Sequence, residues 1–469
     1  MKLGFDSREL TPELVTKITL AGVKDRSEVE AAKTLEDIGG VKVSPKTVER
    51  VLHDVGEEVT QLRDCSPSRL SRTLVPKPPL DAPKTVSLSA DGGRMLTRKS
   101  GQGPGVHSHR WRETKNANFE RLTSKTYDED PHPELPECFL DLDHVAKLAE
   151  SGALEVTPEA LDELQAFEEA LAEEAEDTAA EEDVASQADV VCEAAVASEA
   201  SAASSQASAS VPPAITPDGI DENRRLKEPR DESSDERWQP QRLFRTCLSS
   251  LVCSATFGLM MAREAARRRF GEAIHKAFVA DGLGWNWTIW RKHFRDYTPI
   301  LDFVHVVEYL YEAACAAGGG DAMSWSRYVH WSRWCSQSRV TDVLTEMGEL
   351  LRAAGIDPGD KVGEGPLSAL HTTYRYLSNN ASRMDYVSYR QRGLPVTSAV
   401  MESLVKQVHQ RVKGTEMYWN DNQRGGEGIV QLRSSYLCDD DRLRHYLRRR
   451  PGHPYVRRTT KVPASTPRS

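Results

Sequence analysis

The feature that most restricts how this chain can fold is an acidic segment near its middle. Between Ser151 and Arg237 the sequence carries 24 Asp and Glu against 5 Lys and Arg, and its second half is mostly Ala, Ser and Glu. Too few large apolar residues are present there to offset the loss of chain entropy on folding, so we expect most of this segment to be disordered. It could mimic the charge of DNA and shield a basic body, but its composition fits a neutral spacer better.

The remainder of the chain is basic. All 469 residues together hold 71 acidic and 61 basic side chains, a net charge of −10. Without the acidic segment the balance is reversed to about nine positive charges. A basic body suits a polyanionic partner such as nucleic acid, although basic surface also serves solubility.

Three apolar stretches each end in an aspartate. Residues 86–90 alternate apolar with polar in the period of a strand and lead to Asp91, Phe278–Ala280 leads to Asp281, and Pro299–Leu301 leads to Asp302. Asp-Gly, as at 281, is first of all a turn signal and alone indicates little. Strands alternate with helices from residue 242 onwards, with one helix predicted over 257–277, and the carboxyl ends of parallel strands share one sheet edge. The pattern therefore predicts an α/β fold with several acids along that edge.

A third candidate acid lies on a helix near the C-terminus. The stretch from Thr397 to Lys413 is a capped helix, with an apolar face of Met401, Leu404, Val405, Val408 and Val412. A second stripe, about a quarter turn away, holds Glu402, Lys406, His409 and Lys413. We expect Glu402 at the border of the buried face, and the three basic residues along a phosphate backbone beside it.

Three short helices are predicted at the N-terminus. They cover residues 11–21, 27–37 with Ser27 as N-cap, and a third that opens at Ser44-Pro45. The Gly39-Gly40 break suits a helix-turn-helix whose last helix would place Lys46, Thr47 and Arg50 in the DNA major groove. Small three-helix units are also common without any ligand.

Residues from 321 to 392 are predicted to be helical. Their aromatic residues recur every three positions, at Trp325, Tyr328, Trp331 and Trp334. Such a stripe can stack on unpaired bases, but packing in a helical core is commoner.

Cysteines and hydropathy bear on the compartment. The eight cysteines show no zinc-like spacing, no secretory signal opens the chain, and the longest uncharged run is too short and polar for a membrane span. We expect a reduced cytoplasmic protein with no membrane segment.

The chemistry expected of the three acids is metal-assisted. Carboxylates without Cys or His ligands favour Mg²⁺ or Mn²⁺ over zinc. Two such ions can activate an attacking hydroxyl and stabilise the leaving 3′ oxygen of a phosphodiester.

Several motifs, in order, carry a resemblance to a known family. The chain resembles the DDE transposases of bacterial insertion sequences, in the RNase H-like group related to Mutator-like transposases. The motifs are Ser89-Ala-Asp91-Gly-Gly-Arg94-Met95, Trp111-Arg-Glu113-Thr-Lys115, Phe278-Val-Ala-Asp281-Gly282 with Trp285 and Trp287, Ile300-Leu-Asp302-Phe-Val-His305, Tyr376-Leu-Ser-Asn379-Asn380 with Arg383-Met-Asp385-Tyr386, and Gly393 through Glu402-Ser403. The long acidic insertion departs from the family pattern and leaves open how the sheet is connected between Glu113 and Arg242.

The resemblance implies a function and its residues. Asp91, Asp281 and Glu402 match the catalytic, metal-holding triad, and Asp302 with His305 match an accessory pair for which helix capping is as good an explanation as DNA or metal contact. The implied activity is hydrolysis that frees a 3′-OH at the element's end, followed by attack on target DNA. The implied partners are double-stranded DNA at the ends and target and further copies of the chain on DNA, in the bacterial cytoplasm at the nucleoid.

Two other functions stay open. One is an inactive or repurposed sequence-specific DNA-binding protein, and the other is a structure-selective nuclease on the same fold, because fold alone does not choose a substrate.

The predicted organisation is an RNase H-like core, a mixed sheet flanked by helices, with insertions and flanking regions. The predicted boundaries are a helix-turn-helix-like region at 1–60, a Pro-rich linker at 61–84, core at 85–145, the acidic insertion at 146–237, core at 238–318, a helical insertion at 319–395, the Glu402 helix at 396–420 and a basic tail at 421–469.

Overall fold

The computed structural model describes residues 10–63, 82–98, 110–123, 125–152, 239–363, 365–413, 419–420 and 424–450. Most of the linker, the Gly-rich turn after the first strand, nearly all of the acidic insertion and the last residues from 451 lie outside the described residues. The chain divides into two compact units, Met1–Ala149 with Arg225–Ser469, and Glu150–Arg224. The sheet and the functional residues belong to the first unit.

Three helices open the described chain, as predicted: α1 (Pro12–Lys24), α2 (Glu28–Asp37) and α3 (Pro45–Arg63). Ser27 caps α2 by accepting from the Glu30 N–H at 3.1 Å. Proline occupies the first position of both α1 and α3, where its missing N–H costs nothing. The connection from α2 to α3 spans residues 38–44, longer than the turn of a helix-turn-helix.

The sheet is mixed, and the fold is α/β. Its strands are β1 (Thr85–Arg98), β2 (Arg110–Leu122), β3 (Arg242–Ser250), β4 (His275–Ala280) and β5 (Thr298–Leu301), in the order β3-β2-β1-β4-β5. The pairs β1–β2 and β2–β3 are antiparallel, whereas β1–β4 and β4–β5 are parallel. The parallel placement of β4 and β5 was expected.

Two predicted boundaries were wrong. The first strand does not end at Asp91 but continues to Arg98, because β2 pairs with it along its whole length. The helix predicted over 257–277 ends at Arg267, after which Arg269 adopts a left-handed φ of 58° and β4 begins at His275. Pairing with β1 places this later stretch in the sheet.

Helices occupy the rest of the described chain, and none of those described is long and apolar enough to cross a membrane. They are α4 (Leu142–Gly152), α5 (Ser254–Arg267), α6 (Gly284–His293), α7 (Phe303–Ala316), α8 (Asp321–Ser336), α9 (Val340–Ala353), α10 (Ser368–Asn380), α11 (Tyr386–Gln391), α12 (Ala399–Val412), α13 (Arg424–Tyr436) and α14 (Arg442–Arg449). A two-residue strand, Trp419–Asn420, pairs with the end of β1.

The apolar sheet face and the helical insertion share one core. Leu88 and Phe278 from the sheet belong to the same buried cluster as Tyr328 and Trp331 of α8. Both aromatic side chains are fully buried, and Trp325 stacks on Tyr328 with ring centroids 5.0 Å apart. The prediction that this stripe serves core packing is confirmed.

The opposite face of the sheet is covered by α12. Met401, Leu404 and Val408 pack against Cys247 of β3, as the predicted apolar face requires. Cys247 pairs across the sheet with Asn118, which pairs with Ser89, two residues before Asp91. Because side chains alternate along a strand, Asp91 points to the face on which α12 lies.

Residues 424–450 are folded helices rather than the predicted basic tail. Helix α13 packs against α3, where a Cβ on Gly56 would lie 2.9 Å from the Cα of Gly428. Arg442 of α14 is buried and pairs with Glu264 at 2.7 Å and with Asp440 at 3.0 Å. Its positive charge is therefore used inside the fold.

The N-terminal helices are anchored to the same body by two arginines. Arg411 of α12 donates to the Gly22 carbonyl at 2.7 Å, and Arg433 of α13 donates to the Val23 carbonyl at 2.8 Å. Both carbonyls belong to the last turn of α1, whose acceptors have no partner within the helix. The N-terminal helices are thus an integral part of the fold.

Candidate active site

Three aspartates form a row where the parallel pairing of β1, β4 and β5 ends. In the register, Ala90 of β1 pairs with Ala280 of β4, which in turn pairs with the last residue of β5. The residue that follows each of these three paired positions is an aspartate: Asp91 in β1, Asp281 after β4 and Asp302 after β5. The sequence analysis expected acids along this edge, and the register places them there.

Asp91 and Asp281 are coupled electrostatically. Desolvation, followed by the negative charge of Asp281, raises the pKa of Asp91 to about 8. Desolvation also raises the pKa of Asp281, and the charge of Asp302 adds to the increase, while His305 opposes it. The pKa values of both half-buried carboxyl groups are raised. A positive charge between them would therefore stabilise their ionised forms.

Local hydrogen bonds orient Asp281. Its Oδ1 accepts from the Leu283 N–H at 3.0 Å and from Asn286 Nδ2 at 2.8 Å, whereas Oδ2 accepts from none of the described residues. The hydroxyl of Tyr376 donates to the Asp281 main-chain carbonyl at 2.8 Å. Gly282 adopts a φ of 100°, and a Cβ there would lie 2.6 Å from the Tyr376 ring, so only glycine fits.

Tyrosines of the helical insertion also hold β5. Tyr386 donates to the Leu301 carbonyl at 2.9 Å, and Tyr389 donates to the Pro299 carbonyl at 3.2 Å. These carbonyls are two residues apart and point the same way on an edge strand, where no further strand pairs with them. With Tyr376, three phenol groups fix the strand ends from which the acids extend.

Asp302 is a capping residue, and His305 is a half-buried histidine whose pKa is raised. Asp302 is 1% exposed, accepts from the Val304 N–H at 3.0 Å as the N-cap of α7, and accepts a hydrogen bond from Ser398. His305 Nδ1 lies 3.0 Å from Glu308 Oε2. Desolvation alone would lower the pKa of His305, but this hydrogen bond and the neighbouring aspartates raise it to about 10. Asp302 therefore serves as a helix cap, one of the two roles that the sequence left open.

Helix α12 is fixed at two points across this edge. Near its start Ser398 contacts Asp302, and near its end His409 Nε2 lies 3.0 Å from Thr114 Oγ1 of β2. Glu402 lies between these contacts on the helix that covers the acidic row. Its side chain is 33% exposed, which confirms the expected border position.

Glu402 is not grouped with the aspartates in this structure. Its carboxylate pairs with Lys406, with Nζ 3.2 Å from Oε2. Within the described ranges, no three His, Cys, Asp or Glu side chains are arranged to hold a metal ion. The structure thus brings together Asp91 and Asp281, and places Glu402 on the adjacent helix.

The three basic residues predicted beside Glu402 differ in their surroundings. Lys406 and Lys413 are exposed, and Lys413 Nζ lies 5.6 Å from the centre of the Trp111 ring. His409 is turned onto the sheet instead, where desolvation, followed by the charge of Lys413, lowers its pKa to about 4. A neutral His409 brings no charge to a phosphate.

The N-terminal candidates lie on the first turns of α3. Lys46 and Arg50 are exposed, and Lys46 pairs with Glu49 at 2.7 Å. Thr47 is half-buried and bonds through its hydroxyl to Ser44 at 2.9 Å. The two basic side chains are accessible to a ligand, and Thr47 serves the helix start.

The carboxylate pair fits the metal that the resemblance implies. Asp91 and Asp281 supply hard oxygen donors on neighbouring strands, which suit Mg²⁺ or Mn²⁺. A cation between them would offset the desolvation and the charge of Asp281 that raise the pKa of Asp91.

Comparisons with known protein families and with curated proteins give no match. The functional argument therefore rests on the residues themselves.

Sequence reasoning missed Asn286 and the roles of the tyrosines. Asn286 follows Asp281 by five residues, and its contact requires the chain to turn into α6. Tyr376 stood within a quoted motif, but its contact with Asp281 joins residues 95 positions apart. The one signal available in the sequence was Asn286 itself, a polar residue in the first helical turn after a strand that ends at an acid.

Proposed function

We propose that this protein is a DNA transposase that cleaves and joins DNA strands at the ends of an insertion sequence. Asp91, Asp281 and Glu402 are its metal-holding acids, on an RNase H-like core. The observation that carries the proposal is the Asp91–Asp281 pair, whose carboxylates end up on neighbouring strands from parts of the chain nearly two hundred residues apart.

The fold supports the proposal at a coarse level. A mixed sheet flanked by helices is the architecture expected of an RNase H-like core, and the acids lie at the carboxyl edge of its parallel strands. Clefts at that edge are the usual ligand sites of open α/β sheets.

The residues of the site have different roles in the proposed reaction. When bound, Mg²⁺ or Mn²⁺ supplies an activated hydroxyl nucleophile and stabilises the leaving 3′ oxygen. Leu283 and Asn286 keep Oδ1 of Asp281 oriented, and Oδ2 would be the oxygen that holds the cation. Glu402 would be the third residue to hold it, in place of its contact with Lys406.

The partner in this proposal is double-stranded DNA, at the element's ends and at the target. The basic body supports this, as do the exposed Lys46 and Arg50 on α3 and Lys413 beyond α12. Several copies of the chain on the two ends, in the bacterial cytoplasm at the nucleoid, complete the proposal.

The direct test is strand cleavage. Purified protein is incubated with Mn²⁺ and DNA that carries the inverted repeats flanking its gene, and nicked and joined products are separated on denaturing gels. We expect Asp281→Asn to lose at least about 1,000-fold in rate, because one metal-holding oxygen is removed. Asp296→Asn, at an exposed aspartate that pairs with Lys276, is the matched control and should stay active.

The products also separate the alternatives. Hydrolysis without strand joining would identify a structure-selective nuclease. A binding-only protein is the second candidate, favoured by the contact of Glu402 with Lys406 rather than with the aspartates. It would bind the end DNA and leave it intact with either metal.

A further inference from the structure

An arginine of the helical insertion is stacked on the helix that follows Asp281. Arg383 lies in the 3₁₀ turn after α10, with its guanidinium 4.3 Å from the centre of the Trp287 ring of α6. Its Nη1 donates to the Asn379 carbonyl at 3.2 Å and to Asn380 Oδ1 at 2.8 Å. The guanidinium is therefore held in one orientation.

The same guanidinium has no carboxylate partner. Both hydrogen bonds come from Nη1, so the edge formed by Nε and Nη2 has no acceptor among the described residues. That edge is one of the two through which an arginine binds a phosphate with paired hydrogen bonds. Arg383 is only half-buried, so this edge can be reached from outside.

A second arginine adds to the charge. Arg291 is one helical turn beyond Trp287 on α6, hence on the same face, and forms no ion pair with the described residues. Burial, followed by the charge of Arg291, lowers the pKa of Arg383. Two neighbouring guanidinium groups without a shared acid repel each other, and a bound anion would remove that repulsion.

The charge continues along the edge of the sheet. Arg392 follows α11, is half-buried, and donates to Thr298 Oγ1 at 2.9 Å, again without an ion pair in the described part of the chain. Burial raises the pKa of Tyr389, and the positive charges of Arg392 and Arg383 partly offset this rise. The exposed Asp385, the N-cap of α11, contributes a negative charge at the same tyrosine.

Another arginine stacked on a tryptophan has an acidic partner. Arg339 lies 5.0 Å from the centre of the Trp334 ring in the same helical insertion, and its Nε is 2.7 Å from Asp342 Oδ2. The stacking geometry is similar, but the charge is already paired. This contrast separates an arginine that serves the fold from one whose charge is available.

We propose that Arg383, with Arg291 beside it, binds a phosphate of the DNA backbone at α6, the helix that follows Asp281. The inference rests on the proposed DNA substrate and adds a site to it. Helix α6 begins at Gly284, three residues after Asp281, so the phosphate site lies on the element that continues the chain from the acidic row. The helical insertion, through Arg383, then serves as part of the DNA-binding surface.

The test measures binding rather than cleavage. A fluorescein-labelled DNA duplex is titrated with protein in Ca²⁺, which does not support the reaction, over a series of NaCl concentrations. Loss of one phosphate contact should weaken binding by roughly 8-fold at about 0.1 M salt and reduce the slope of log K against log salt by about 0.9. We expect this of Arg383→Gln, and unchanged binding for Arg339→Gln.

The outcomes are distinct. If wild-type protein does not bind the duplex, the proposed function and the phosphate site both fail. If it binds and Arg383→Gln and Arg339→Gln behave alike, the phosphate site fails and the proposed function stands. If Arg383→Gln lowers the melting temperature, Arg291→Gln is used in its place. The same reduction in slope is expected of Arg291→Gln. Unchanged DNA binding by Arg291→Gln would also overturn the phosphate site.

Discussion

At the scale of single residues, surroundings decide whether a basic side chain carries charge. His409 and Lys413 occupy one helical stripe, yet Lys413 is exposed and His409 is pressed onto the sheet, with its Nε2 at 3.0 Å from Thr114 Oγ1. A Cβ added to Gly93 would collide with the imidazole ring. Packing this close leaves no room for the hydration that a charged imidazole requires.

This contact predicts a pH-dependent stability. The folded-state pKa of His409, about 4, lies below the value of about 6.5 for an unfolded histidine, so the unfolded chain binds the proton more readily. The contribution is complete above about pH 6.5 and is lost as the pH falls towards 4, by roughly 1–3 kcal/mol in the free energy of unfolding.

Urea unfolding at pH 7 and pH 5 measures this effect. His409→Gln, which cannot be protonated, should lose less stability between the two pH values than wild type does. His53→Gln, at an exposed position on α3, should follow wild type. Equal pH dependence of His409→Gln and wild type would show that His409 is not the titrating group.

At the scale of elements, α3 and α13 approach each other closely at two glycines. Gly56 and Gly428 face each other, and neither leaves space for a side chain. Beside them Arg63 of α3 pairs with Glu427, whose carboxylate also accepts from Ser250 Oγ at 2.7 Å and from the Leu251 N–H at 2.7 Å. The buried Glu427 carboxylate of α13 accepts from α3, from β3 and from the residue after β3. It thus connects three parts of the chain.

This contact predicts a cost for a single methyl group. Gly56→Ala should destabilise the protein by about 1–3 kcal/mol, because the added carbon meets backbone that cannot rotate away. Gly348→Ala is the control, since Gly348 is also within a helix but its nearest neighbour is the flexible end of Arg352. That change should be neutral or stabilise by up to about 1 kcal/mol. Denaturant unfolding measures the free energy of unfolding of both variants. A Gly56→Ala variant as stable as wild type would contradict the packing described.

Elements were predictable where the signal is local. The alternation before Asp91, the Ser27 cap and the apolar face of α12 were read from neighbouring residues, and each is present. The end of β1 could not be predicted from neighbouring residues, because the length of this strand depends on its pairing with β2. Arg442 was assigned to a basic tail because the acids that pair with it, Glu264 and Asp440, become its neighbours only in the fold.

At the scale of the whole molecule, the helices at the two ends of the described chain form one body. The core of α1–α3 includes Met95 of β1, Val430 of α13 and Leu443 of α14. Glu58 of α3 pairs with Arg450 at 2.7 Å and accepts from the Tyr446 hydroxyl at 2.6 Å. No linker separates a DNA-binding module from this body within the residues described.

Removing the N-terminal helices should therefore unfold more than those helices. We expect a chain lacking residues 1–63 to be insoluble or to melt without a cooperative transition, because Arg433 loses its contact with Val23, Glu427 loses Arg63 and an apolar surface is exposed. Co-expression of residues 10–63 as a separate peptide is the control and should restore a soluble complex. A truncated chain that melts like the full one would contradict this.

The arginine contacts to α1 also limit how this protein could be re-engineered. Exchanging the first three helices for those of a known DNA-binding protein would require a replacement whose first helix ends where Arg411 and Arg433 can reach its carbonyls. It would also need a glycine opposite Gly428. Surface changes in this region are therefore easier to introduce at exposed side chains of α3 than by grafting a whole module.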